Sequence, residues 1–266
     1  MIRAALAAAL LAAPPALARP LVSASGIPEA DIVILGEVHD NPAHHLFQAE
    51  AVAAIGPAAV IWEMLPPGIE VDPSLPAREL SEALEWEARG WPDFALYAPV
   101  FAAAPDAVHL GMALPREDVR AAIGEGAAAV FGKDAVRFGL DLPLPDAEQE
   151  ERETAQLRDH CDALPAEMLG GFVEAQRLRD AGFARAALTA LEAHGGPVVV
   201  ITGNGHARTD WGMPVYLAAA APEVSVVSVG QLERDGADDD LRDGAPFGLW
   251  TFAEPPERGD PCEAFR

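Results

Sequence analysis

The stretch "DIVILGEVHDNPAHHLFQAEAV" (residues 31–52) decides the reading of this chain. Four aliphatic residues, Ile32 to Leu35, run without a polar interruption and stop at Gly36. A run apolar at every position is the mark of a strand covered on both faces, as in parallel sheets. Glu37, His39, His44 and His45 follow at once. Asn41 stands as a helix N-cap and Pro42 as the first helical residue, so a helix follows the strand. Glycine lets the backbone turn sharply at the strand end, and the acid and imidazole beyond it are placed at the rim of a sheet.

The same pattern recurs along the chain. "AAVIWEM" (58–64), "AVHLGM" (107–112), "PVVVITG" (197–203), "EVSVVSVG" (223–230) and "FGLWTFAE" (247–254) read as further strands. Helical segments separate them, including "PREDVRAAIGEGAAAVFG" with Pro115 at its head and acids in its first turn. Interleaved helices supply the right-handed crossovers that parallel strands need. The expected fold class is α/β, a mostly parallel central sheet flanked by helices. Residues 77–104 and 146–194 hold helical segments with no strand, broken near Gly90–Pro92 and Pro165. They are expected to form a helical cap subdomain over one end of the sheet. No internal repeat is present, and residues 19–266 read as a single domain.

Composition narrows the functions. Lys and Arg number 18 against 42 Asp and Glu, a formal charge of −24. Such a chain repels nucleic-acid phosphates and anionic lipid, so neither is an expected partner. "MIRAALAAALLAAPPALA" (1–18) has one arginine, an apolar stretch and a small-residue site at Ala16–Leu17–Ala18. That is the layout of a secretory signal peptide. The expected product is an exported protein, periplasmic in a Gram-negative cell, with no membrane span after cleavage. No cysteine lies at the cleavage point to carry a lipid. Cys161 and Cys262 are the only cysteines. Export would permit a disulfide between them, and two free thiols fit the sequence as well.

Three strands end in groups that carry chemistry: Glu37, His39 and Asp40; Glu63; and Asn204, His206 and Arg208. Parallel strands deliver their carboxyl ends to one edge, where ligand sites form. Glu37, His39, Glu63 and His206 are therefore expected to converge. Two imidazoles and two carboxylates could hold a divalent metal or act as an acid/base pair. Plainer roles stand beside these. Glu37 could cap the next helix, and the set could be a buried polar network. Glu63 is the hardest to explain without a partner, because an unpaired buried carboxylate is costly. Gln176 and Asp180, four apart, share one helix face and could line the pocket or form a surface polar stripe. His44 and His45 are adjacent, so at most one faces the site.

At "DIVILGEVHDNPAHHLFQ", "IWEML" and "VVVITGNGHARTDWGMP" the chain resembles the ChaN-like haem-binding uptake family. That family shares a superfamily with Tiki-type metalloproteases and erythromycin esterases. The paired Gly-x-x-His motifs and the Glu-Met after the second strand carry the resemblance, supported by "GMALPREDV" and "AQRLRDAGFA". It implies an α/β core with a helical subdomain, haem as cofactor, a part in haem or iron uptake, and a homodimer formed around haem. It implies iron held by a tyrosine oxygen; Tyr97 and Tyr216 are the only tyrosines, with His39 and His206 as further donors. The related hydrolases imply the alternative of water activation by Glu37, His39, Glu63 and His206.

Overall fold

The computed structural model describes residues 19–234, 245–260 and 262–263. The signal-like residues 1–18 and most of the acidic loop 235–246 lie outside the described residues. Seven strands form one sheet: β1 (Arg19–Pro20), β2 (Ile32–Glu37), β3 (Ala59–Trp62), β4 (Val108–Gly111), β5 (Val198–Gly203), β6 (Val226–Glu233) and β7 (Leu249–Ala253). Their order is β1-β7-β6-β2-β5-β3-β4, and every pairing is parallel. The six strands expected from sequence are all present. β1, a two-residue edge pairing with β7, carries no sequence signal.

The apolar runs are explained by two cores. Alternate side chains of a strand point to opposite faces. Ile32, Ile34, Ile61, Val198 and Val200 enter one cluster with Leu178, Ala181 and Phe183. Val33, Leu35, Trp62, Val199 and Ile201 enter the other with Val52, Tyr97 and Phe101. The first face is covered by α7 (Ala166–His194) and α9 (Met213–Ala220), the second by α1 (Pro42–Ile55) and α3 (Phe94–Ala102). With both faces covered, no position in β2 or β5 can be polar until the rim.

Local chemistry sets the helix limits. The Asn41 side chain accepts from the Ala43 N–H at 2.9 Å, Pro42 opens α1, and Gly56 closes it at φ 60° in the left-handed region. Gly90, at φ 80°, separates the segment of α2 (Ala77–Ala83) and a 3-10 turn (Glu87–Arg89) from α3. The segment after Pro115 is two helices, α4 (Arg116–Glu125) and α5 (Ala127–Phe131), because Gly126 at φ 86° breaks it. α6 (Asp146–Asp159) and α7 flank the expected break at Pro165. α8 (Asn204–Ala207) is one short turn after β5.

β2, β5 and β3 are adjacent, with Glu37 opposite Gly203 and Ile201 opposite Trp62. Their carboxyl ends therefore meet at one rim. Gly36 is required there, because a Cβ on it would stand 2.4 Å from Asn204 Oδ1. Cys161 and Cys262 form a disulfide, which resolves the pairing left open by sequence. Among the described residues no helix is long and apolar enough to cross a membrane.

Candidate functional site

Glu63 sits just past β3, buried at 3% exposure. Its Oε1 accepts from Arg179 Nη2 at 2.6 Å. Its Oε2 accepts from Thr202 Oγ1 at 2.7 Å and from the Gly203 N–H at 2.8 Å. His206 Nε2 lies 3.4 Å from Oε1. Burial alone would push this carboxyl up, but His206, Arg179 and His39 outweigh it and hold it well below the usual range. The other His206 nitrogen, Nδ1, is 2.5 Å from Asp180 Oδ1 and 3.1 Å from the Gln176 amide. Burial lowers the basicity of His206, yet the two flanking carboxylates, Glu63 and Asp180, leave it raised. The convergence of Glu63 and His206 expected from parallel strands is present.

Glu37 anchors a second network. Its Oε1 accepts from His39 Nδ1 at 2.7 Å and from the Tyr97 hydroxyl at 2.8 Å. Its Oε2 accepts from Gln48 Nε2 at 2.6 Å and lies 3.5 Å from His45 Nδ1. His45 Nε2 in turn donates to the His39 carbonyl at 2.9 Å. His39 is thus fixed at both ring and backbone. Burial lowers its basicity, and the hydrogen bond and charge of Glu37 more than restore it. His39 Nε2 has no hydrogen-bond partner among the described residues, and its side chain is 33% exposed. Trp91 packs on the ring edge at 4.9 Å between centroids.

The two networks adjoin at Gly203. A Cβ there would stand 3.0 Å from His39 Nε2 and 3.8 Å from Glu63 Oε2. This glycine keeps a side chain out of the space before the imidazole.

Beside the rim lies a groove of about 990 Å³, between the 3-10 turn at Glu87–Arg89, α4 and α7. Met64, Pro66, Pro67, Leu114, Val119 and Phe183 give it apolar walls, and Glu63 and Trp91 also line it. His39 does not line it and packs against Trp91. Arg89, Arg116, Arg120 and Arg179 also line it. Arg89 and Arg179 have acidic partners. Arg116 and Arg120, exposed and four apart on α4, form no ion pair or hydrogen bond among the described residues. In a chain with 42 acids, two unpaired arginines on one wall are a marked concentration of positive charge.

Several sequence expectations are corrected. Glu37, His39, Glu63 and His206 do not form one ligand set for a divalent metal. All four carboxylate oxygens accept from protein donors, and among the described residues no group of three or more His, Cys, Asp or Glu is placed to hold a metal. Tyr97 is fully buried, and its hydroxyl is engaged by Glu37. Burial and that carboxylate push its ionisation far above the ordinary phenol range. Tyr216 lies on the buried face of α9, and burial with Asp180 pushes it up to about 12. Neither phenol lines the groove. Asp40 pairs with Arg258, Asn204 is bonded to the Gln231 backbone, and Arg208 pairs with Asp210 over the Trp211 ring. None of these three lines the groove either. Gln176 and Asp180 share a face of α7 and hold His206; neither lines the groove.

Sequence reasoning passed over Arg179, Gln48, Thr202, Trp91, Arg116 and Arg120. Arg179 had a usable signal: it lies three residues after Gln176, on the face that also carries Asp180. His44 and His45 are both buried. His45 joins the Glu37 network, while His44 Nδ1 accepts from the Val38 N–H at 2.9 Å.

A parallel α/β sheet whose rim carries two Glu-His networks beside an apolar, arginine-bearing groove defines a ligand-binding class. The chain belongs to the family described as "Haem-binding uptake, Tiki superfamily, ChaN", whose model matches residues 24–217. The fold is similar to that in "Cofacial heme binding to ChaN of Campylobacter jejuni", at 20% identity and TM-score 0.56, over 76% of this chain and 81% of that one. The type III effector HopBA1 aligns at 14% identity and TM-score 0.45, over 91% of this chain and 99% of that one. No curated protein matches the chain in sequence.

Proposed function

We propose that this chain is an exported haem-binding protein whose groove seats the porphyrin. The single observation that carries the reading is the groove itself: apolar walls and, on α4, two arginines without an ion-pair partner among the described residues, with the His39 imidazole packed behind its wall residue Trp91. Its volume, about 990 Å³, is at the upper end of the ~300–1,000 Å³ typical of small-molecule and cofactor pockets. Apolar walls suit the macrocycle. Arg116 and Arg120 would hold the two propionates, since guanidinium groups match carboxylates in charge and shape.

His39 would ligate the iron through Nε2. A ligating histidine ordinarily donates its other N–H to a carboxylate, which fixes the ring and raises its basicity. Glu37 supplies that bond here. Bound haem would contribute an iron centre for capture and transfer. The residues of this chain bind it, orient it and shield it. His206, held between Glu63 and Asp180, keeps the wall at Arg179 in place.

Export is supported by residues 1–18 and by the Cys161–Cys262 bond, since disulfides persist in oxidising compartments. Dimerisation around haem is a further expectation, which the elution volume with and without haemin would decide. The hydrolytic alternative loses support because the carboxylate oxygens of both glutamates already accept from protein donors.

The test is an absorbance titration of the mature protein with haemin. A Soret band that shifts and saturates at a fixed ratio supports the reading; an unshifted band rejects it. Replacing Arg116 and Arg120 together by alanine should weaken haemin binding about 2- to 30-fold, the range for two exposed ion pairs. Haemin dimethyl ester, which lacks the propionate charges, should bind wild type and variant alike.

A further inference from the structure

The family match ends at residue 217, and the chain continues through β6 and β7 into a tail. That tail returns to the rim. Arg258 donates to both Asp40 oxygens, at 2.9 and 2.7 Å, and to both Glu233 oxygens, at 2.6 and 2.7 Å. Asn41 Nδ2 donates to the Glu254 carbonyl at 3.0 Å and to Glu233 at 2.6 Å. Four residues after Arg258, Cys262 is bonded to Cys161, just after α6 and ahead of α7. Asp40 and Asn41 are the neighbours of His39. α7 carries Gln176, Arg179 and Asp180, which hold His206 and Glu63. The tail therefore ties the loop that carries His39 to the helical unit that walls the groove. Pro255 and Pro256 stiffen its first part.

We infer that the tail, residues 254–260 with Cys262, is a redox-fastened strap that controls release of the ligand by holding the His39 loop in place. This rests on the proposed seat in the groove for the ligand, while the strap itself is argued from its own contacts. Arg258 and Asp40 side chains are 30% and 45% exposed, and an exposed ion pair is weak alone. The disulfide keeps Arg258 at high effective concentration over its partners. The opening reagent is an external dithiol. Its first thiolate attacks one sulfur of the bond, and its second thiol resolves the mixed disulfide. Cys161 and Cys262 leave as two thiols, and the dithiol becomes a disulfide.

The test has two arms. The first is hydrogen exchange over residues 37–45 of the ligand-free protein, with and without dithiothreitol, well below its melting temperature. The strap predicts faster exchange there on reduction, and the same acceleration in oxidised Arg258→Ala. The second is transfer of haemin to apomyoglobin from the Cys161→Ser/Cys262→Ser variant and from Arg258→Ala. Both should release haemin at least about fivefold faster than wild type, the lower end of typical coupling between sites. Should haemin fail to bind at all, the groove reading falls and the exchange arm still decides the strap. A bond that only stabilises the fold would lower the melting temperature and leave exchange over 37–45 unchanged, also in Arg258→Ala; that result overturns the inference.

Discussion

Replacing Glu63 by alanine should destabilise the protein by about 3–5 kcal/mol, the usual cost of leaving one partner of a buried ion pair behind. At roughly 2–4 °C per kcal/mol for a chain of this size, the melting temperature should fall by about 6–20 °C. The cause is local. His206 would keep Asp180 but lose the carboxylate at its other nitrogen, and Thr202 and the Gly203 N–H would lose their shared acceptor. Denaturant unfolding should show a lower midpoint at unchanged slope.

The pH dependence follows from the direction of each shift. The Glu63 carboxyl is held below its unfolded value, so its contribution is present above about pH 4.5 and is lost as acid protonates the folded form. His206 is raised, so its contribution is full below about pH 6.5 and is lost as the pH climbs through the folded value. The stability supplied by these two groups should therefore be greatest between about pH 4.5 and 6.5. Melting curves of Glu63→Ala should lack the acid limb of that dependence and keep a weakened alkaline limb, because Asp180 still faces His206. A variant as stable as wild type would show that the carboxylate was not holding the rim together.

The second large effect concerns Cys262. Its bond to Cys161 spans 101 positions, and closing a loop of about 100 residues stabilises by about 4.7 kcal/mol when only chain entropy is counted. Cys262→Ser should lose a comparable amount, measured by calorimetry on the oxidised proteins. Wild type treated with dithiothreitol should melt with the variant, since both lack the same cross-link. A loss well under 1 kcal/mol would mean that the unfolded chain is already restricted at that distance or that the native bond is strained.

The sheet was legible because burial on both faces forces runs such as Val198–Ile201 to be apolar throughout. Glu63 and His206 were legible for a related reason: a charge directly after such a run must find a partner near the rim. What escaped was set by distance rather than by pattern. Arg258 meets Asp40 across 218 positions, and no local signal in a Pro-rich tail marks that contact. The cysteine pairing stayed open because spacing says nothing about separation in space. Tyr97 was a candidate haem ligand because the family resemblance implies a tyrosine ligand and the chain has only two tyrosines. Its place on α3, behind β2, turned the hydroxyl toward Glu37 instead. The groove arginines were missed because exposed arginines on a helix look like any solvated face until the apolar wall beside them is known.

The most direct measurement is the spectrum of the haemin complex of His39→Ala beside that of wild type, with free imidazole added back to the variant. If His39 holds the iron at the rim beside the groove, the variant should lose the wild-type Soret position and tight binding, and imidazole should restore the band. A variant whose complex matches wild type in band position and affinity would contradict the account.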